Sequence, residues 1–184
     1  MKMLQVTDAK NLKDLVVKFN ELHPQTVKCH YDLIAENMKS GYSHKEIGTY
    51  YGWSAAMAAL NGASELHLVD VSMKPFNTHE KYFEDHCKIY KYEMNSIDPR
   101  CAVECDTMLI DAVHRWNDVK NELSVHAAKV KDWIAFHDVW ALRSGLSTIG
   151  PGLMEWLKTD ETGKLFYLKE DLGVKGNSVL IKRK

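Results

Sequence analysis

The sequence predicts an α/β fold, a mostly parallel sheet with helices on both faces, and three observations carry that expectation. Short apolar segments alternate with helix-patterned ones along most of the chain, as strand–helix–strand units require. Several strand segments end in a polar residue: Asp70, Asn95, Asp111 and the pair His137-Asp138. The stretch from Glu46 to Asp70 reads as a strand end, a glycine-containing turn, a helix, a second turn and a second strand closed by an acid.

That stretch organises the rest. Gly48 and Gly52 supply the first turn, since glycine takes positive φ cheaply and lets a ligand approach the backbone. Ser54-Ala-Ala-Met-Ala-Ala-Leu60 is a strong helix former made mostly of small residues, able to lie close on a sheet. Asn61-Gly62 ends the helix, and Leu66-His-Leu-Val69 reads as a buried strand leading to Asp70. Backbone N–H groups near a helix start and an acid at the next strand end form a nucleotide-site pattern. The turn alone does not decide the matter, because any α/β protein can carry a tight strand–helix turn.

Before this unit, Leu12, Leu15, Val16, Phe19 and Leu22 recur at helical spacing, predicting a helix from Asp8 to His23 that Pro24 stops. A second helix is expected from about Tyr31 to Met38, and the first strand from Ser43 to Ile47. After Asp70 the reading gives a helix over Pro75–His86, a strand over Cys87–Met94, a short helix near Ala102 and a strand over Thr107–Ile110. Then come a helix over Trp116–Lys129, a buried strand Trp133–Phe136, a glycine-rich loop over Gly145–Gly152 and a helix over Leu153–Lys158. Two last strands, Lys164–Leu168 and Ser178–Lys182, share a short connection and are expected to be antiparallel. Residues 1–184 form a single domain in this reading, with 1–41 as an N-terminal helical extension.

Composition narrows the function classes. With 25 acidic and 24 basic residues there is no global field to attract nucleic acid or an anionic membrane. No apolar run approaches the roughly 20 residues of a membrane span. The N-terminus lacks a signal-peptide pattern. Cys29, Cys87, Cys101 and Cys105 show no zinc-site spacing and read as reduced thiols of a cytoplasmic protein. A homo-oligomer is left open.

Position gives the polar residues their meaning. In a doubly wound sheet the carboxyl ends of the strands share one rim, and ligands bind in that crevice. One terminal acid is commonly a helix cap; strand after strand ending in a polar group favours a shared site. Asp111-Ala-Val-His114 and His137-Asp138 add two readings: a hard divalent cation, or a general base formed by a histidine beside a carboxylate.

Glu46-Ile-Gly-Thr-Tyr-Tyr-Gly-Trp-Ser54, Ile110-Asp-Ala-Val-His114 and Phe136-His-Asp-Val139 together resemble class I S-adenosylmethionine-dependent methyltransferases. More narrowly, they resemble the small-molecule O-methyltransferase group with macrolide sugar methyltransferases and cephalosporin-hydroxylase-like proteins. The resemblance runs from about residue 42 to the end. It implies a Rossmann-like, seven-stranded, mostly parallel sheet with helices on both faces and an antiparallel last strand. It further implies that Gly48, Tyr50, Gly52 and Ser54 lie along the cofactor, that Asp70 binds its ribose, that Asn95 and Ser96 border the adenine, and that Asp111 adjoins it. Asp111, His137 and Asp138 match positions that hold Mg2+ in the metal-dependent members, and His114 matches a histidine near the acceptor. His114 and His137 are the candidate catalytic bases.

The sequence departs from the family in having Thr49, Tyr50 and Tyr51 between its glycines, and His137 where some metal-dependent relatives have an acid. The expected activity is S-adenosylmethionine-dependent methyl transfer to a hydroxyl of a small molecule, such as a sugar. The alternatives are a cofactor-binding module without methyl transfer and a nicotinamide-dependent oxidoreductase. Against the latter, the first turn lacks the full GxGxxG spacing.

Overall fold

A computed structural model of the protein describes residues 9–22, 32–113, 115–137, 139, 149–171 and 178–184. Its core is a seven-stranded sheet in the order β3-β2-β1-β4-β5-β7-β6. The strands are β1 (Ser43–Ile47), β2 (Glu65–Asp70), β3 (Lys88–Glu93), β4 (Cys105–Ile110), β5 (Val130–His137), β6 (Phe166–Asp171) and β7 (Ser178–Arg183). The first five run parallel, while β7 is antiparallel to both β5 and β6, as expected for the last strand. Chain order runs outward from the β1–β4 pair, through β2 and β3 on one side and to β5 on the other, so the crevice for a ligand opens there.

Helices cover both faces. On one side lie α1 (Leu12–Leu22), α2 (residues 32–37) and α3 (Trp53–Leu60). Their Leu12, Leu15, Phe19, Leu33 and Ile34 pack in one cluster with Leu66, Leu68, Leu109 and Trp133 of the sheet. The buried face of α3 is Ser54, Ala55, Ala56, Ala58 and Ala59, small enough for the helix to lie close on the strands. On the other side are α5 (Trp116–His126) and α6 (Ile149–Thr159). Val119, Leu123, Leu153 and Trp156 meet Met108, Ile110, Ile134 and Phe136 there. Alternate residues of β4 and β5 thus feed opposite cores, the period of two that a doubly covered strand must have.

The apolar stripe of the N-terminal helix lies in one core cluster with α3 and the sheet. Some expectations change. The helix expected over Pro75–His86 is two short pieces, α4 (Lys74–Asn77) and a 3-10 turn, Glu80–Tyr82. Thr78 Oγ1 donates to the Pro75 carbonyl at 2.7 Å, the local side-chain bond that competes with helix continuation. The short helix near Ala102 is a 3-10 turn, Pro99–Cys101. Gly150, Pro151 and Gly152, read as loop, form the first turn of α6, where a proline's missing N–H costs nothing. Among the described residues no helix is long and apolar enough to cross a membrane.

One position welds the centre of the sheet. Gly48 follows β1 at φ 87°, and a Cβ there would stand 2.2 Å from the Asp111 carbonyl oxygen just past β4. Gly48→Ala therefore meets both the left-handed penalty of about 1–2 kcal/mol and a backbone collision. Urea unfolding should show a loss of at least that size; unchanged stability would contradict this account of the weld.

Candidate cofactor-binding site

The site grows from three strand ends held in register. Gly48 N donates to the Val69 carbonyl at 2.9 Å, tying the end of β1 to that of β2, and Asp111 N donates to the Ile47 carbonyl at 2.8 Å, tying β4 to β1. Beyond Gly48 the chain turns sharply: Tyr50 sits at φ 47° and Gly52, the N-cap of α3, at φ 77°. A Cβ on Gly52 would lie 2.7 Å from the Phe76 ring, so glycine there serves close packing behind the turn. Tyr50 is held in its left-handed conformation by its own N–H, which donates to Asp70 Oδ2 at 2.9 Å. The Ser72 N–H donates to Asp70 Oδ1 at 3.0 Å. The carboxylate of Asp70 is thereby oriented, and each oxygen keeps a further lone pair for a ligand hydroxyl.

A cavity of about 500 Å³ opens over these ends, within the range of small-molecule sites. Its walls come from Ile47, Gly48 and Tyr50 at the end of β1, Val69–Val71 at the end of β2, Met94–Ser96 after β3 and Asp111–Val113 after β4. Of the site residues expected from sequence, Gly48, Tyr50, Asp70, Asn95, Ser96 and Asp111 are brought together in this wall. Gly52 and Ser54 are not among its described lining residues; Ser54 is buried in the first turn of α3. His114 and Asp138 lie outside the described residues.

His137, at the end of β5, joins the group through Asp111: its Nδ1 and Asp111 Oδ1 are 2.9 Å apart. A carboxylate accepts only, so Nδ1 carries the hydrogen, and the basic lone pair of the neutral ring is on Nε2. His137 is buried while Asp111 is partly exposed, an arrangement that orients an imidazole as a base.

Of the three residues expected to hold magnesium, Asp111 and His137 bond one another and Asp138 lies outside the described residues. Among the described residues no three His, Cys, Asp or Glu side chains converge as a metal cluster.

One residue here was missed by sequence reasoning. Glu46 of β1 is 1% exposed, and neither carboxylate oxygen has a hydrogen-bond partner among the described residues. The Ala55 amide lies near enough to favour the anion without reaching hydrogen-bond geometry. Burial first, then the charges of Asp111 and Asp70, push the Glu46 carboxyl well above its ordinary range. A buried carboxyl without a protein partner is costly to keep. It stands between the two acids of the cavity wall. The signal available in sequence was His44-Lys45-Glu46, three polar residues in a strand that a doubly covered sheet must bury.

Comparisons with known proteins agree with this geometry at the level of fold. No family model matches the chain, and no curated protein matches it. Solved structures do match. The ribosomal protein L11 methylase of Lactobacillus delbrueckii subsp. bulgaricus superposes with a TM-score of 0.66 at 16% identity, covering 87% of this chain and 79% of that one. Magnesium protoporphyrin IX methyltransferase (ChlM) of Synechocystis PCC 6803, with bound S-adenosylmethionine, gives 0.66 at 11% identity, covering 100% and 88%. The O-methyltransferase of Bacillus cereus, in complex with S-adenosylhomocysteine, gives 0.60 at 15% identity, covering 98% and 94%. At these identities the likeness is one of fold: the chain has the Rossmann-like fold of class I methyltransferases.

The state of Glu46 sets a pH dependence. Its folded pKa lies above the unfolded value near 4.5, so its contribution is fully present below that value and is lost as pH rises through the folded pKa. Glu46→Gln removes this loss. The variant should therefore melt higher than the wild type at pH 8 and nearly level with it at pH 4. Melting curves that differ equally at both pH values would contradict the assignment.

Proposed function

We propose that this cavity binds S-adenosylmethionine and that the protein transfers its methyl group to a hydroxyl of a small molecule. The observation that carries the reading is the charge of the pocket: Asp70 and Asp111 in the wall, Glu46 buried among them, and no Lys or Arg among the described lining residues. Such a site suits a ligand bearing cations, and S-adenosylmethionine carries an ammonium and a sulfonium. It opposes the anionic pyrophosphate of a nicotinamide dinucleotide, which that rival reading needs.

The residues divide the work. Asp70, oriented by two backbone N–H groups, accepts the ribose hydroxyls. Glu46 is drawn towards its ionised form by a cation above it, which offsets the cost of its burial. Val71, exposed in the cavity wall, offers an apolar face to a planar base, and Asn95 and Ser96 close that end. When bound, the cofactor supplies an already activated methyl group. The chain's task is then alignment and removal of one proton. His137 would take the proton of the acceptor hydroxyl, with Asp111 stabilising the imidazolium, while the cofactor would supply the methyl group by cleavage of its sulfur–methyl bond and leave as the neutral thioether.

A small acceptor is favoured over nucleic acid by the near balance of charge, formally −1 over the chain. Cytoplasmic location is part of the same proposal.

Isothermal titration tests the reading directly. The wild type should bind S-adenosylmethionine and not NAD, and Asp70→Ala should weaken binding by about 1.5–3 kcal/mol, the scale of hydrogen bonds to a charged group. Unchanged affinity in folded Asp70→Ala would overturn the role of Asp70; binding of NAD alone would favour the oxidoreductase. Against a hydroxyl acceptor, His137→Ala should lower turnover by about 10²–10⁴-fold with cofactor binding retained. Full binding with no transfer to any hydroxyl acceptor would leave a binding module.

A further inference from the structure

Ser96 belongs to the cavity wall, yet its conformation is set from behind by side chains that never reach the cavity. Its backbone oxygen lies 2.7 Å from His126 Nε2, and its Oγ donates to Glu122 Oε1 at 2.7 Å. Glu122 and His126 are one turn apart on α5 and are 2% and 0% exposed. Behind them, Lys45 of β1 is fully buried, its Nζ 3.3 Å from His126 Nδ1 and donating to the Val103 carbonyl at 2.9 Å.

The direction of every bond follows from the groups themselves. A carbonyl only accepts, so His126 Nε2 carries the hydrogen that Ser96 receives. Burial, and then the neighbouring Lys45, hold the ring's pKa down to about 4, so the ring is neutral at neutral pH. Its Nδ1 is then an acceptor, and Lys45 is the donor that faces it. Lys45 thus selects the histidine tautomer that can hold Ser96.

The turn needs such support. Asn95 and Ile97 on either side of Ser96 are exposed, and the other bonds within the turn are local, Ile97 N to Asn95 Oδ1 at 3.1 Å and Asp98 N to the Asn95 carbonyl at 3.0 Å. An exposed turn with only local bonds opens easily. The Cys101 thiol also faces the Ser96 carbonyl, at 3.5 Å, but is a weak donor.

We infer that Lys45, His126 and Glu122 are positioning residues that hold the Asn95–Ser96 turn in the shape that receives the base of the bound nucleoside. The identity of that ligand rests on the function proposed above; the clamp on the turn does not. Neither Lys45 nor His126 is itself a described lining residue of the cavity, so their effect on a ligand is carried through Ser96.

Amide hydrogen exchange of the free protein separates the two claims. In His126→Leu, exchange at residues 95–97 should quicken by about tenfold or more, the loss of roughly one hydrogen bond, with the amides of β1 and β4 unchanged. His126→Gln, which keeps a donor on a chain of similar reach, should restore protection. With S-adenosylmethionine, His126→Leu should raise KM about tenfold and leave kcat within about twofold of wild type. Unaltered exchange at 95–97, a uniform rise across the sheet, or failure of glutamine to restore protection would each overturn the clamp. If His126→Leu does not fold, Glu122→Leu against Glu122→Gln reads the same turn through the Ser96 hydroxyl. A wild type that binds no S-adenosylmethionine would refute the proposed function, while the exchange data still judge the clamp.

Discussion

The structure depends on the contact between Gly48 and the backbone just past β4. No side chain fits there, because a Cβ would stand 2.2 Å from the Asp111 carbonyl oxygen. The missing side chain lets β1 and β4 end side by side, and the bonds from Gly48 N to Val69 and from Asp111 N to Ile47 bring the end of β2 into the same register. Asp70 and Asp111 consequently meet in one cavity wall, with Glu46 buried within reach of both charges. Burial and the two neighbouring acids hold the Glu46 carboxyl towards its neutral form.

Strand β1 shows how the fold tolerates polar residues at its centre. His44, Lys45 and Glu46 are all buried. His44 pairs through Nδ1 with Thr107 Oγ1 at 2.8 Å, and Lys45 finds the Val103 carbonyl and His126. Lys45 is thus paired, whereas His44 Nε2, like the Glu46 carboxylate, has no hydrogen-bond partner among the described residues. Glu46, the next residue, faces the cavity's acids.

Much of this was legible beforehand. Strand ends carry turn residues and acids in plain sequence, so Asp70, Asn95, Asp111 and His137 could be assigned to one rim before any geometry was known. The parallel order and the antiparallel last strand followed from the spacing of apolar segments. Glu46 escaped because a charged residue in a strand ordinarily faces solvent, and only the covering of both faces makes it buried. The division of Pro75–His86 escaped because Phe76 and Phe83 are spaced like a helix face, while Thr78 bonds its own backbone instead. Gly48 and Gly52 read as openings for a ligand; Gly48 lines the cavity and also makes room for a neighbouring strand end, while Gly52 makes room for the Phe76 ring.

The central claim is that a positively charged nucleoside cofactor lies over the ends of β1, β2 and β4. Mapping backbone amide shifts during titration with S-adenosylmethionine tests it most directly. The account predicts saturable shifts concentrated at Gly48, Tyr50, Asp70, Ser96 and Asp111, with the helices α5 and α6 largely unmoved beyond the turn that contacts Ser96. Shifts confined to another face of the sheet, or none at saturating ligand, would contradict it.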